Sequence, residues 1–219
     1  FLRKFKTALI VNIAGNTVQE FVELAKILNN TTGLSGIEIN ISCPNIKYNT
    51  KNHLAFGQNP KLTYKLTKDI RKATKLPLIV KLSPEVTDIT IIARACEDGG
   101  ADAISLINTF PGMAININTR KPKLANIIGG LSGPAIKPIA IRLVWKVFNT
   151  VQLPIIGIGG IFSAEDAIEF IIAGASAIAI GTANFVDPKI TLKVIDGINK
   201  YLINHKIKNI NQLIGKLKL

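Results

Sequence analysis

Two stretches, Ile155-Ile156-Gly157-Ile158-Gly159-Gly160 and Ala179-Ile180-Gly181-Thr182, decide how this chain folds. Each is a short apolar run that breaks into glycine after a strand and before a helix. Backbone N–H groups at such glycines can approach a phosphate closely, and the N-terminus of the following helix favours the anion. A phosphate site shared by the loops after the last two strands is the recurring arrangement of the (β/α)8 barrel. A doubly wound sheet carries GxGxxG after its first strand instead, and no such string occurs near Leu9 to Asn16. The expected fold class is therefore α/β, a TIM barrel.

Outward from these loops, near-continuous Ile/Val/Leu runs alternate with helical patterns, as suits parallel strands. Strands are expected at Leu9 to Ile13, Ile37 to Ile41, Leu78 to Leu82, Ala103 to Ile107, Ile155 to Ile158 and Ala177 to Ile180. Helices are expected at Thr17 to Asn29, Pro60 to Thr74, Asp88 to Asp98, Pro138 to Thr150, Ala164 to Ala173 and Ile190 to Asn204, with a short tail from Ile210 to Leu217. Thr17 with Glu20, and Ser163 with Glu165 and Asp166, are helix starts. Gly99-Gly100 and Gly174 are stops. No linker interrupts the six units, so residues 1–219 read as one domain. A barrel needs eight strands. If the glycine loops follow strands seven and eight, strands three to eight are present and the first two β/α units are missing, with part of the site. Phe1 is not an initiator methionine, which fits a processed or truncated piece.

The net charge of +13 raises a nucleic-acid reading. The lysines, however, are scattered through every segment of a chain rich in Lys, Asn and Ile, so a compositional bias explains them better than a binding stripe. Two cysteines, Cys43 and Cys96, make no disulfide framework, and a reducing cytoplasm is the default. His53 and His205 show no metal-ligand spacing, so no metal is expected. Ala167 to Ala183 is interrupted by Glu169, Gly174 and Gly181 and reads as helix then strand, not a membrane span.

The chemistry-bearing residues fall at successive strand ends: Asn12, then Asn40 and Cys43, then Lys81, then Asn108 and Thr109. In a barrel these converge on one mouth. Cys43, between Ser42 and Pro44 and flanked by Asn40 and Asn45, has the polar company of a thiol used for attack or proton transfer. Cys96, on a helix between Ala95 and Glu97, reads as packing. Lys81 closes an apolar run and either snorkels to water or meets an anionic partner. A phosphate site with a lysine, amides and a thiol suits a phosphorylated organic cofactor. FMN is the natural candidate, with Lys81 near its N1/O2 edge.

The strings NISCPN (Asn40 to Asn45), VKLSP (Val80 to Pro84), INT (Ile107 to Thr109), GGLSGPAIKP (Gly129 to Pro138), GIGGI (Gly157 to Ile161) and GTAN (Gly181 to Asn184) carry a resemblance. Over essentially its whole length the chain resembles the catalytic subunit of class 1 dihydroorotate dehydrogenases, most closely the NAD-linked class 1B form. The resemblance implies oxidation of dihydroorotate to orotate in de novo pyrimidine (UMP) biosynthesis. It makes Cys43 the base that removes the C5 proton while C6 gives hydride to FMN. It implies that Asn40, Asn45, Asn108 and Thr109 bind the substrate. Asn12, Asn40, Lys81, Ile107, Gly133, Gly159, Gly160, Gly181 and Thr182 would contact FMN, and Ile46 to Gln58 would form a lid. It also implies a homodimer and a partner subunit with FAD and a 2Fe–2S cluster that passes electrons to NAD. The rivals are tRNA dihydrouridine synthase, which expects Gly where Ser42 stands, and the pyrimidine-reducing domain of dihydropyrimidine dehydrogenase, which expects His where Asn45 stands. A further rival is an inactive fragment that does not retain FMN.

Overall fold

The computed structural model of the protein describes residues 2–41 and 56–218. The chain runs β1 (Ile10–Ile13), α1 (Val18–Asn29), β2 (Gly36–Asn40), α2 (Pro60–Ala73), β3 (Leu78–Lys81), α3 (Ile89–Asp98) and β4 (Ala103–Leu106). Four short strands follow, β5 (Phe110–Met113), β6 (Ile115–Asn116), β7 (Lys121–Pro122) and β8 (Ile128–Leu131). Then come α4 (Lys137–Phe148), β9 (Ile155–Ile158), α5 (Ala164–Ala173), β10 (Ala177–Ala179), α6 (Ala183–Val186) and α7 (Ile190–Asn204).

Six strands form one wholly parallel sheet in the order β1-β2-β3-β4-β9-β10, which is also their order in the chain. The helices follow suit: α1 packs on α2, α2 on α3, α3 on α4, α4 on α5 and α5 on α7. They therefore make one layer on one face of the sheet. A doubly wound sheet reverses its strand order and divides its helices between two faces; neither occurs among the described residues.

Register explains the strand composition. On the helix side stand Ile37, Ile39, Leu78, Val80, Ile104 and Leu106, all fully buried. Burial of each such side chain contributes about 1.5–3 kcal/mol. The opposite face, in register across the strands, carries Asn12, Glu38, Asn40, Lys81 and Ser105. Polar residues are tolerated there because that face lacks a helix layer.

The caps form as the side chains dictate. Thr17 Oγ1 accepts from Glu20 N, and the Glu20 carboxylate accepts from Asn16 N. Ser163 and Asp166 make a reciprocal capping box on α5. Asn59 caps α2, with Pro60 in its first turn.

Most differences from expectation are of one residue. Gly36 joins β2 because it pairs with Ile10 of β1, and Lys137 opens α4 one residue early. The larger difference lies between Phe110 and Leu131, where two antiparallel ribbons form, β5 with β8 and β6 with β7. Their residues show no strict alternation, so periodicity does not reveal them. Within the expected tail, Ile210–Gln212 forms a single 3-10 turn. Cys96 is fully buried on α3, and burial pushes its thiol pKa up despite a hydrogen bond with Thr67. It is a packing residue.

Candidate active site

Because the six strands are parallel, their C-terminal ends share one edge of the sheet, and the sequence-predicted residues stand along it. Asn12 is in β1, Asn40 ends β2, and Lys81 ends β3. Ile107, Asn108 and Thr109 follow β4 directly, Gly159 and Gly160 follow β9, and Gly181 and Thr182 follow β10. Cys43 and Asn45 lie outside the described residues, as does the loop from Ile46 to Ala55 with His53. At the far end of that loop, Phe56 and Gly57 are buried, with Gly57 N donating to Ile41 O at 2.9 Å.

The polar side chains are linked. Asn108 Nδ2 donates to Asn40 Oδ1 at 3.2 Å. The Asn108 side-chain oxygen, Oδ1, in turn accepts from Thr109 N at 2.9 Å. The backbone holds this corner, since Asn108 N donates to Leu82 O at 3.0 Å and Ile107 N to Ile158 O at 2.9 Å. Thr109 lies against β8 so closely that a Cβ at Gly130 would collide with its hydroxyl. Lys81 is half-buried and pairs in register with Asn40 and Ser105. Among the described residues it makes no ion pair.

At the other side of the edge the glycines form a cradle. Gly133, Gly159 and Gly160 have φ of +86°, +136° and +74°. Gly160 allows the closest approach: a Cβ there would lie 2.7 Å from the Gly133 carbonyl oxygen. Gly181 differs, since a Cβ would meet nothing within 4 Å. Its neighbour Thr182 donates through Oγ1 to Ser132 Oγ at 2.7 Å, which ties the β8 and β10 loops together. Behind the cradle, Lys137 Nζ reaches Asp166 Oδ1 at 2.6 Å and Glu169 Oε2 at 2.9 Å. Asp166 Oδ2 accepts from Phe162 N and Ser163 N, just past the cradle. An open-faced loop rich in backbone N–H groups, rigidly backed, fits a phosphate.

Glu38 and Ser105 were not expected from the sequence. The Glu38 carboxylate accepts from Asn12 Nδ2 at 2.5 Å and, over the intervening β3, from Ser105 Oγ at 2.7 Å. The available signal was a carboxylate two residues before Asn40 in an apolar strand, which places both on one face. Ser132 was also missed, because only the folded β8 end brings it to Thr182.

The family described as "Dihydroorotate dehydrogenase" matches residues 2–202. The chain is 55% identical over 219 residues to the "Dihydroorotate dehydrogenase B (NAD(+)), catalytic subunit" of Thermoanaerobacter sp. (strain X514), covering all of this chain and 71% of that relative. It is 52% identical to the protein of the same description from Desulforamulus reducens and 49% to that from Citrifermentans bemidjiense, with the same coverage of each.

Proposed function

The chain belongs to the dihydroorotate dehydrogenase family, and from that membership we propose that it oxidises dihydroorotate to orotate as an NAD-linked, class 1B catalytic subunit. The observation that carries the reading is the meeting, along one sheet edge, of an amide cluster, a lysine with no ion pair among the described residues and a glycine cradle. On this reading the six strands are strands three to eight of a (β/α)8 barrel, in one FMN-binding domain spanning residues 1–219. Sequential parallel order and a single helix layer support that assignment.

Gly133, Gly159, Gly160, Gly181 and Thr182 would hold the FMN phosphate, and Asn12, Asn40, Lys81 and Ile107 the ring. FMN supplies a two-electron acceptor for the hydride that leaves C6 of the substrate. Lys81, which makes no ion pair among the described residues, would set a positive charge beside the ring. Asn40, Asn108, Thr109 and Asn45 orient the pyrimidine and its carboxylate, and the Asn40–Asn108 hydrogen bond fixes two of those amides relative to each other. Cys43 takes the C5 proton as a thiolate; a free thiol has a pKa near 8.5, so rate should rise with pH until the thiolate dominates. The loop from Ile46 to Gln58 excludes water. Electrons pass to NAD through a partner subunit with FAD and an iron–sulfur cluster, in the cytoplasm, the catalytic subunits pairing as a homodimer. Among the described residues no helix is long and apolar enough to cross a membrane.

Product analysis tests the reading. The holoenzyme, given dihydroorotate and an artificial electron acceptor, is expected to release orotate and to leave dihydrouracil untouched. Uracil formed from dihydrouracil, with dihydroorotate unchanged, would overturn it.

A further inference from the structure

Among the described residues, Glu38 is the one charged side chain on the inner face of the strands for which the proposed reaction has no task. It stands on β2 in register with Asn12 on one side and Ile79 on the other. Both of its oxygens are engaged by neutral donors, Asn12 Nδ2 at 2.5 Å and Ser105 Oγ at 2.7 Å. Ser105 is fully buried, so its hydroxyl has a strict need for this partner. Among the described residues, no cation pairs with the carboxylate, although Lys81 occupies the same face.

An ionised carboxylate can only accept. Asn12 must therefore turn its NH2 group toward Glu38, and its carbonyl Oδ1 is left over. No hydrogen bond to that oxygen occurs among the described residues. An amide that could otherwise present either end is thus held in one orientation. Ser105 anchors the carboxylate from the opposite side, so the clamp spans β1, β2 and β4. Two neutral donors satisfy Glu38, and the Lys81 charge stays available.

We propose that Glu38 is a positioning residue for the flavin site: it acts through Asn12, fixing that amide with its carbonyl oxygen available to a donor on the flavin ring, and does not touch the flavin. The proposal rests on the FMN reading above. It predicts that Glu38 and Asn12 act as one unit, which a residue serving only stability does not do.

The test is FMN titration of the flavin-stripped holoenzyme, followed by quenching of flavin fluorescence. Glu38→Ala and Asn12→Ala are each expected to raise the Kd about tenfold, the scale of one lost hydrogen bond to a charged group. The double variant is expected to bind no worse than the weaker single one. Glu38→Gln, whose carbonyl oxygen can still accept from Asn12, should recover most of the affinity. Should Glu38→Ala not fold, Glu38→Asp carries the test, since it keeps the charge and loses the reach. Parent-like affinity in the Ala or Asp variant, or effects of E38A and N12A that multiply, would overturn the role of Glu38 alone. A parent protein that takes up no FMN overturns the flavin reading and this role with it.

Discussion

Gly160 and Gly181 serve one cradle for different physical reasons. At Gly160 the backbone has φ +74°, and a Cβ would press on the Gly133 carbonyl oxygen. An alanine there costs about 1–3 kcal/mol of strain, so Gly160→Ala should lower stability and flavin affinity together. At Gly181 a Cβ would stand in open space. Gly181→Ala should therefore unfold at the parent's denaturant midpoint and yet, on the proposed reading, bind FMN about tenfold or more weakly, because the methyl would take the phosphate's place. Parallel denaturation and FMN titrations separate the two. Equal stability loss in both would mean that Gly181 is structural. Glu38 teaches a related lesson about charge. Lys81 was legible because a lysine in an apolar run is costly to bury, and the same logic applies to Glu38. Its role, however, depends on a hydroxyl two strands away, which no local pattern displays.

At the scale of elements, α5 is where stability and the site meet. Asp166 caps α5, receives the N–H groups of Phe162 and Ser163, and pairs with Lys137 on α4. Burial acts to raise its carboxyl pKa, but the Lys137 hydrogen bond and the backbone donors outweigh it and hold the pKa below 3.8. Its stabilising effect is thus complete above pH 3.8 and fades as pH falls through the lowered value. Hydrogen bonds to Asp166 and Glu169 raise the pKa of Lys137 above 10.5, so its share is complete below pH 10.5 and is lost only as pH rises through the raised value. Asp166→Ala should cost about 1–3 kcal/mol at neutral pH, from the lost cap and hydrogen bonds. The variant should also lose less than the parent on acidification, as urea midpoints across acidic pH would reveal. A variant as acid-sensitive as the parent would place the titrating group elsewhere. This helix was legible from Ser163, Glu165 and Asp166, and the parallel strands from their Ile/Val runs. The ribbons of residues 110–131 were not: Phe110-Pro111-Gly112-Met113 and Ile128-Gly129-Gly130-Leu131 pair through backbone and small residues. Glycine and proline there read as loop. They are strands because their backbones pair in register from Phe110 with Leu131 to Met113 with Ile128, and position 130 is glycine because a Cβ there would meet Thr109.

At the scale of the whole molecule, sequential strand order and a single helix layer bring residues separated by most of the chain to one edge. Asn12 near the start and Thr182 near the end bracket a site that local chemistry alone would leave scattered. The net charge of +13 has no part in this, since the site depends on a few placed groups and not on a field. The two glycine loops foretold the order, because glycine loops after the last two strands are the pattern of a barrel's shared anion site. Cys43 lies outside the described residues, three positions past Asn40 in the sequence, and Asn40 meets Asn108 at that edge. The most direct measurement is anaerobic rapid mixing of the FMN-loaded holoenzyme with dihydroorotate, following loss of the oxidised flavin's yellow absorbance. The parent's flavin should bleach in step with orotate formation. In Cys43→Ala it should stay bound and bleach roughly 100- to 10,000-fold more slowly, the contribution of a positioned base. Bleaching at the parent's rate in that variant, or a parent flavin that stays yellow with dihydroorotate, would contradict the account.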